Sequence, residues 1–520
     1  MNKIMEIPAA SFHEEALRLR GERQMDFLES LAGTDRGDSL GVVYHLESTV
    51  TGERITISTR TANRENPELP SVTDIWKAAI LKEREVYDFF GIRFINHPDM
   101  RRLFLRNDWV GYPLRKDDDP LDERNPLCMD NETTIDTTTK LELNADGTAE
   151  DREKPIFDDS EYVINIGPQH PATHGVLRFR VSLDGENIRK IDVNCGYIHR
   201  GIEKMSESLT YPQILALTDR LDYLSAHHNR HALCMCVEKA LRVEVSERVQ
   251  YIRTIMDELQ RIDSHLLFYS CLCMDLGALT PFFYGFRDRE KILDIFEQTC
   301  GGRLIMNYNT IGGVQADIHP EFVTKVKTFT KYLRGIIHEY HEVFTGNIIA
   351  MERMKGIGVL SREDAVSFGA TGGTGRASGW ACDVRKRMPY AMYGKVEFRE
   401  IIHAKGDSYA RYLVRMEEIM ESLHIIEQLI DNIPPGNYRE KLKPVIRVPE
   451  GSYYTAVEGS RGEFGVYMES RGDKTPYRLH FRSMGLPLVS LVDTICRGNK
   501  IADLITIGGT LDYVVPDIDR

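Results

Sequence analysis

His174, Tyr223 and Asp275 are the side chains of this sequence best suited to proton chemistry. An imidazole and a phenol can each donate a proton or a hydrogen bond, with ordinary pKa values of about 6.5 and 10. His174 lies in a loop rich in glycine and proline between two strand-like stretches, where a side chain can face a cavity, and Tyr223 follows Asp222 in a helical context. Asp275 is the only charge between Leu266 and Phe286, so it needs a partner to stay ionised if buried. Taken alone, His174 and Tyr223 read as satisfied polar groups of a core.

Other chemistry is weaker. Glu258, Arg261 and His265 share one helical face by their spacing of three and four, away from the apolar stripe, and a solvated polar face is the plain reading of the first two. Cys234 with Cys236 and Cys271 with Cys273 are Cys-x-Cys pairs in apolar helical stretches, better explained as buried thiols than as metal ligands. His338-Glu339-Tyr340-His341-Glu342 has Glu342 where a zincin motif needs its second histidine. The glycine-rich run from Thr371 to Arg376 lacks the Lys-Ser/Thr of a phosphate loop, and Gly356-Ile357-Gly358 lacks the third glycine of a dinucleotide fingerprint.

The elements that must position these residues form an α+β chain in three segments. Apolar alternation at Val42-Tyr44-Leu46 and Ile55-Ile57, joined across Thr51-Gly52, predicts a hairpin in an α+β domain over 1–117 that could fold alone. Residues 118–160 are rich in acid and threonine and poor in large apolar residues, which predicts a linker. Over 161–520 a strand at Tyr162 to Ile166 and a hairpin turned at Asp184-Gly185 precede a mainly helical bundle. Ser246 caps one predicted helix, Asp407 starts another that ends before Pro434-Pro435, and no solenoid repeat is present.

Composition sets limits on partners. The chain has 520 residues, 42% of them hydrophobic, enough for real cores, and its net charge of -13 argues against a nucleic-acid footprint. The first residues lack a secretory pattern and nine cysteines suit a reducing compartment, so a cytoplasmic location is expected. The apolar stretch 266–286 is read as a core helix and a turn, because Asp275 is costly in lipid and Gly277 and Pro281 break the segment.

Longer motifs give the family. The run from Glu83-Arg84-Glu85 to Asp88-Phe89-Phe90-Gly91, then His97-Pro98-Asp99 and Asp108-Trp109 to Lys116, resembles the 30-kDa subunit of respiratory complex I, with Ile80-Leu81 where that family usually has a tryptophan. Gly167 to Arg178, Gly196 to Gly201, Asp219-Arg220-Leu221-Asp222-Tyr223, Asp275 to Phe283, Ser460-Arg461-Gly462-Glu463 and Val515 to Arg520 resemble the 49-kDa subunit in order.

The resemblance implies a fused subunit of an NADH-quinone oxidoreductase, with a fold related to the nickel-iron hydrogenase large subunit. It implies that His174 and Tyr223 bind the quinone head group, that Asp275 pairs with His174, and that Arg200 and His265 lie beside a four-iron cluster held by a partner subunit. Other partners implied are the quinone-channel membrane subunit and the remaining complex I subunits, on the cytoplasmic side of the membrane. The alternative is a nickel-iron hydrogenase or formate hydrogenlyase large subunit. That reading needs two Cys-x-x-Cys pairs; the sequence offers Cys195 at the first location and no thiol over Leu511 to Val515, so no metal is expected on this chain.

Overall fold

The computed structural model describes residues 4–119, 123, 125, 135–144, 149–170, 173 and 175–520. The expected hairpin forms: strands Leu40–Glu47 and Arg54–Arg60 pair antiparallel, with Tyr44 opposite Ile57 and Leu46 opposite Ile55. They belong to a four-stranded sheet edged by strand Phe27–Asp35 and packed on helix Ala79–Phe90. Gly91 ends that helix in the left-handed region, φ 71°, where a side chain would also strike Tyr112 and Arg115.

The edge strand is buried along its whole length, because its open side is covered by the second part of the chain. Arg482 Nε donates to the Glu29 carbonyl at 2.7 Å and Arg478 Nε to the Gly33 carbonyl at 3.0 Å, so arginines satisfy acceptors that a further strand would otherwise take. Glu47 pairs with Arg387 at 2.7 Å and Arg101 with Asp192 at 2.8 Å. Glu85 meets Arg520 at 2.6 Å in a buried group with Glu203, Arg478 and His480.

Residues 161–520 hold the expected strand Tyr162–Ile166 and hairpin Arg178–Asp184 with Asn187–Asn194. A second three-stranded sheet, Gly451–Gly459, Gly462–Ser470 and Arg478–Arg482, lies outside what was expected from the sequence. Between the sheets stand helices Ala226–Leu241, Glu247–Asp275, Leu279–Cys300, Phe322–Tyr340 and Ser408–Leu429. Ser246 caps the long helix Glu247–Asp275 by accepting from the Val249 amide, and Asp407 caps Ser408–Leu429, as expected. Among the described residues no helix is long and apolar enough to cross a membrane.

Two expectations change. The first segment does not close its own core: Phe27, Leu46 and Phe90 share one apolar cluster with Phe179, Trp380, Leu488 and Ile518. The stretch expected to be linker also contains structure, an antiparallel hairpin of Thr137–Leu143 and Ala149–Pro155. Threonines of high strand propensity and a buried Leu141 outweigh its acidity, which Lys140, Arg152 and Lys154 offset. Asn96 and Met100 donate to the Leu141 and Thr139 carbonyls, each at 2.7 Å, and Asp136 pairs with Arg180 at 2.5 Å.

Replacing 137–155 by a short glycine-serine loop should therefore destabilise the chain by about 2–4 kcal/mol, the sum of one leucine's burial and two backbone bonds. Thermal unfolding reads this directly, and an unchanged midpoint would show that the hairpin is dispensable.

Candidate functional site

Tyr223 opens a 3-10 turn, Tyr223–Ser225, whose preceding Asp222 accepts from the Leu224 amide at 3.0 Å. Its ring is 36% exposed, and its hydroxyl makes no hydrogen bond among the described residues. Partial burial, then the neighbouring Asp222 charge, push its pKa upward, so the phenol holds its proton. Asp222 is fully buried and meets Arg461 at 2.9 Å; the second arm of Arg461 reaches Asp512 at 3.1 Å, and Ser264 lies 3.1 Å away. Arg461 is thus a clamp fixing the backbone that carries Tyr223. The glycine-rich segment packs against this clamp: Gly372, φ 68°, lies where a Cβ would stand 2.4 Å from the Arg461 carbonyl oxygen.

Asp275 ends the long helix, partly exposed, one turn after Cys271. Gly277, φ 83°, then turns the chain into Leu279–Cys300, so the apolar stretch is a helix end and a turn as expected, but it continues as the start of a second helix that contains Pro281 instead of being broken by it. Burial, then Asp512 and Asp275, push the Cys271 thiol up to about 11, and the same thiol influences Tyr223. Met274, Leu279 and Phe283 stand exposed. Tyr513 is buried, its hydroxyl has no partner among the described residues, and its pKa is raised by burial, Cys496 and Asp275 in that order.

His174 lies outside the described residues. Its loop is anchored on both sides: Thr173 is buried and donates to the Gly175 carbonyl at 2.7 Å, and a Cβ on Gly175 would sit 2.5 Å from Val515. Val515 follows Tyr513 by two residues, so the loop abuts the segment that Asp275 also influences.

Arg200 and His265 differ in burial. Arg200 is exposed and donates to the Arg220 carbonyl at 2.7 Å, beside the equally exposed Arg220, and both feel Asp519 or each other electrostatically. His265 is wholly buried and faces Glu418 at 3.0 Å. Glu258 and Arg261, expected on a solvated face, are also wholly buried, because Arg385 from another element pairs with Glu258 and Arg261 donates to the Glu458 and Gly459 carbonyls.

The first location where a hydrogenase would carry cysteines, Cys195 to Ile198, meets Asp519 near the end of the chain. Asp519 accepts from the Gly196 and Ile198 amides at 2.9 and 3.1 Å, but Cys195 is the one thiol there and its sulfur points toward the Leu103 carbonyl. Among the described residues, Glu85, Glu203 and His480 could converge on an ion, yet Arg478 and Arg520 already pair with them. Burial works against ionisation of Glu203, and Arg478, His480 and Arg520 together hold it well below the usual carboxylate range. Cavities of 690 and 970 Å³ open elsewhere, beside His45 and Tyr454 and beside Arg230 and Tyr438.

Comparison with known proteins bears on the whole chain. The family described as respiratory-chain NADH dehydrogenase, 30 Kd subunit, matches residues 5–124, and the 49 Kd subunit family matches 275–446 and 440–520. An NADH-quinone oxidoreductase C/D subunit of Bacteroides fragilis is 76% identical over the full length of both chains, and its counterpart in Bacteroides thetaiotaomicron is 74% identical. An NADH-quinone oxidoreductase D subunit of Desulfotalea psychrophila is 46% identical over 70% of this chain and 98% of its own.

Proposed function

This chain belongs to the respiratory-chain NADH dehydrogenase family, joining 30-kDa-like and 49-kDa-like parts in one subunit of NADH-quinone oxidoreductase, and we propose that its 49-kDa-like part forms the quinone head-group site. The observation that carries this is Tyr223, a partly exposed phenol whose hydroxyl makes no hydrogen bond among the described residues, on a turn clamped by Arg461. A quinone taking two electrons takes two protons. Tyr223 donates one to a carbonyl oxygen, and its raised pKa favours prompt reprotonation afterwards. His174 donates to the other, held by Asp275, whose charge favours the imidazolium.

Arg200 and Arg220 present positive charge on the surface, suited to a partner that carries a four-iron cluster. Electrons then come from that partner, and Met274, Leu279 and Phe283 meet the membrane subunit that admits the quinone. Negative charge left at Tyr223 and His174 acts on Asp275 and the adjoining loops, which transmit quinone reduction to proton translocation. The chain works on the cytoplasmic side, held through these partners.

The rival is the hydrogenase reading, and metal content separates the two. With one thiol where four are needed, the chain expressed alone should contain no stoichiometric nickel, and the complex should reduce quinone but show no hydrogen-dependent dye reduction. Nickel at one per chain together with hydrogen uptake would replace this proposal by the hydrogenase.

A further inference from the structure

Around His265 the helical bundle buries ions whose charges do not balance. Glu418 takes Arg376 at 2.9 Å, Arg385 at 2.6 Å and His265 at 3.0 Å. Glu258 takes Arg385 at 3.0 Å, Arg261 at 3.3 Å, and the hydroxyls of Ser422 and Tyr393 at 2.6 Å each. Asp383 pairs with Arg385 at 2.6 Å and Glu458 with Arg376 at 2.6 Å, while the Val384 amide donates to Glu458 at 3.0 Å. Every one of these ionic side chains is at least 97% buried. Among the described residues four buried carboxylates therefore face three guanidiniums; Glu400, which accepts from the Asp383 amide at 2.9 Å, is only partly buried and lies outside this count.

An uncompensated buried charge costs several kcal/mol, so the cluster requires one more positive charge than its arginines supply. Two groups could take a proton, His265 and a carboxylate. We infer that the cluster binds one exchangeable proton on Glu458, making it a proton-holding site in the core of the chain. Glu458 has a single guanidinium within ion-pair distance, whereas Glu418 has two and Glu258 has two guanidiniums with two hydroxyls. Facing it are Arg376 from the glycine-rich helix, Asp383 and Arg385 from the turn after it, Arg261 from the long helix and the Tyr390 hydroxyl near its backbone. Burial and the Asp383 charge outweigh those arginines and raise Glu458 to about 7, while burial lowers His265.

The cluster also reaches the surface site. Arg415, one turn before Glu418, stands 3.5 Å from Asp512, which shares Arg461 with Asp222 and so with the turn of Tyr223. Negative charge developing at Tyr223 raises the cluster's hold on its proton through this series of ion pairs. That link rests on the quinone proposal; the proton site does not.

Infrared titration of the purified complex, with carbon-13 glutamate to separate Glu from Asp, tests the site. One protonated glutamic acid carbonyl signal should be present at about pH 6 and lost as the pH rises toward about 9. It should vanish in Glu458→Gln. It should also vanish in Asp383→Asn, where Glu458 remains but three carboxylates now match three guanidiniums. A signal that survives in both variants, or none at low pH in the unaltered complex, overturns the inference; in the latter case the proton sits on His265 or is absent. If Glu458→Gln fails to assemble, the Asp383→Asn comparison still decides. A titration as expected with a normal Tyr223→Phe turnover would keep the proton site and remove the quinone link.

Discussion

Tyr223→Phe should lower quinone reduction by the assembled complex roughly 100-fold or more, the scale of losing a positioned proton donor. Assembly should survive, because the removed hydroxyl makes no hydrogen bond among the described residues and the ring's packing is kept. Quinone reductase activity of membranes, set against the amount of assembled complex, separates loss of chemistry from loss of protein. Turnover within about twofold of the unaltered complex would remove Tyr223 from the mechanism.

The second large effect belongs to a residue that never touches the head group. Arg461→Ala leaves Asp222 and Asp512 facing each other across a gap, Asp222 fully buried, and removal of one partner from such a set costs about 3–5 kcal/mol. Both the thermal midpoint and quinone turnover should fall. Arg461→Lys should recover only part, since an ammonium cannot span two carboxylates as a fork does. Unaltered stability in Arg461→Ala would show that the two acids are satisfied without it.

Period-two and capping signals located the elements well. The alternation at 42–46 and 55–57, the Asp184-Gly185 turn, and the caps Ser246 and Asp407 depend on neighbours a few positions away, and each appears where expected. Burial was harder to read. Glu258 and Arg261 look like a solvated face because charge usually signals water; the Glu258 partners Arg385, Tyr393 and Ser422 and the carbonyls that Arg261 binds at Glu458 and Gly459 lie more than 120 positions away. The hairpin at 137–155 was hidden by its acidic composition, which outweighed the threonines.

The candidate site divides the same way. Tyr223 and Asp275 lie in motifs that resemblance could flag, but nothing near Arg461 in sequence shows that it holds Asp222. Arg220 could have been found, since it sits inside the same Asp-Arg-Leu-Asp-Tyr motif as Tyr223. His265 is a histidine whose burial against Glu418, 153 positions away, could not be read from its neighbours in sequence.

Glu85 and Arg520 are 435 positions apart, and the arginines that cover the edge strand lie 453 and 445 positions from the carbonyls they bind. At ribosomal speeds of about 5–20 residues per second, roughly 20 to 90 s separate the synthesis of the two sides. Throughout that interval the first sheet has an open edge with unsatisfied acceptors, and helix Ala79–Phe90 carries an acid with no counter-ion. The nascent chain is thus most exposed to mispairing before its second half exists. Slow emergence of residues 451–520, more than any weakness in the finished fold, sets the period during which a chaperone is useful to this protein.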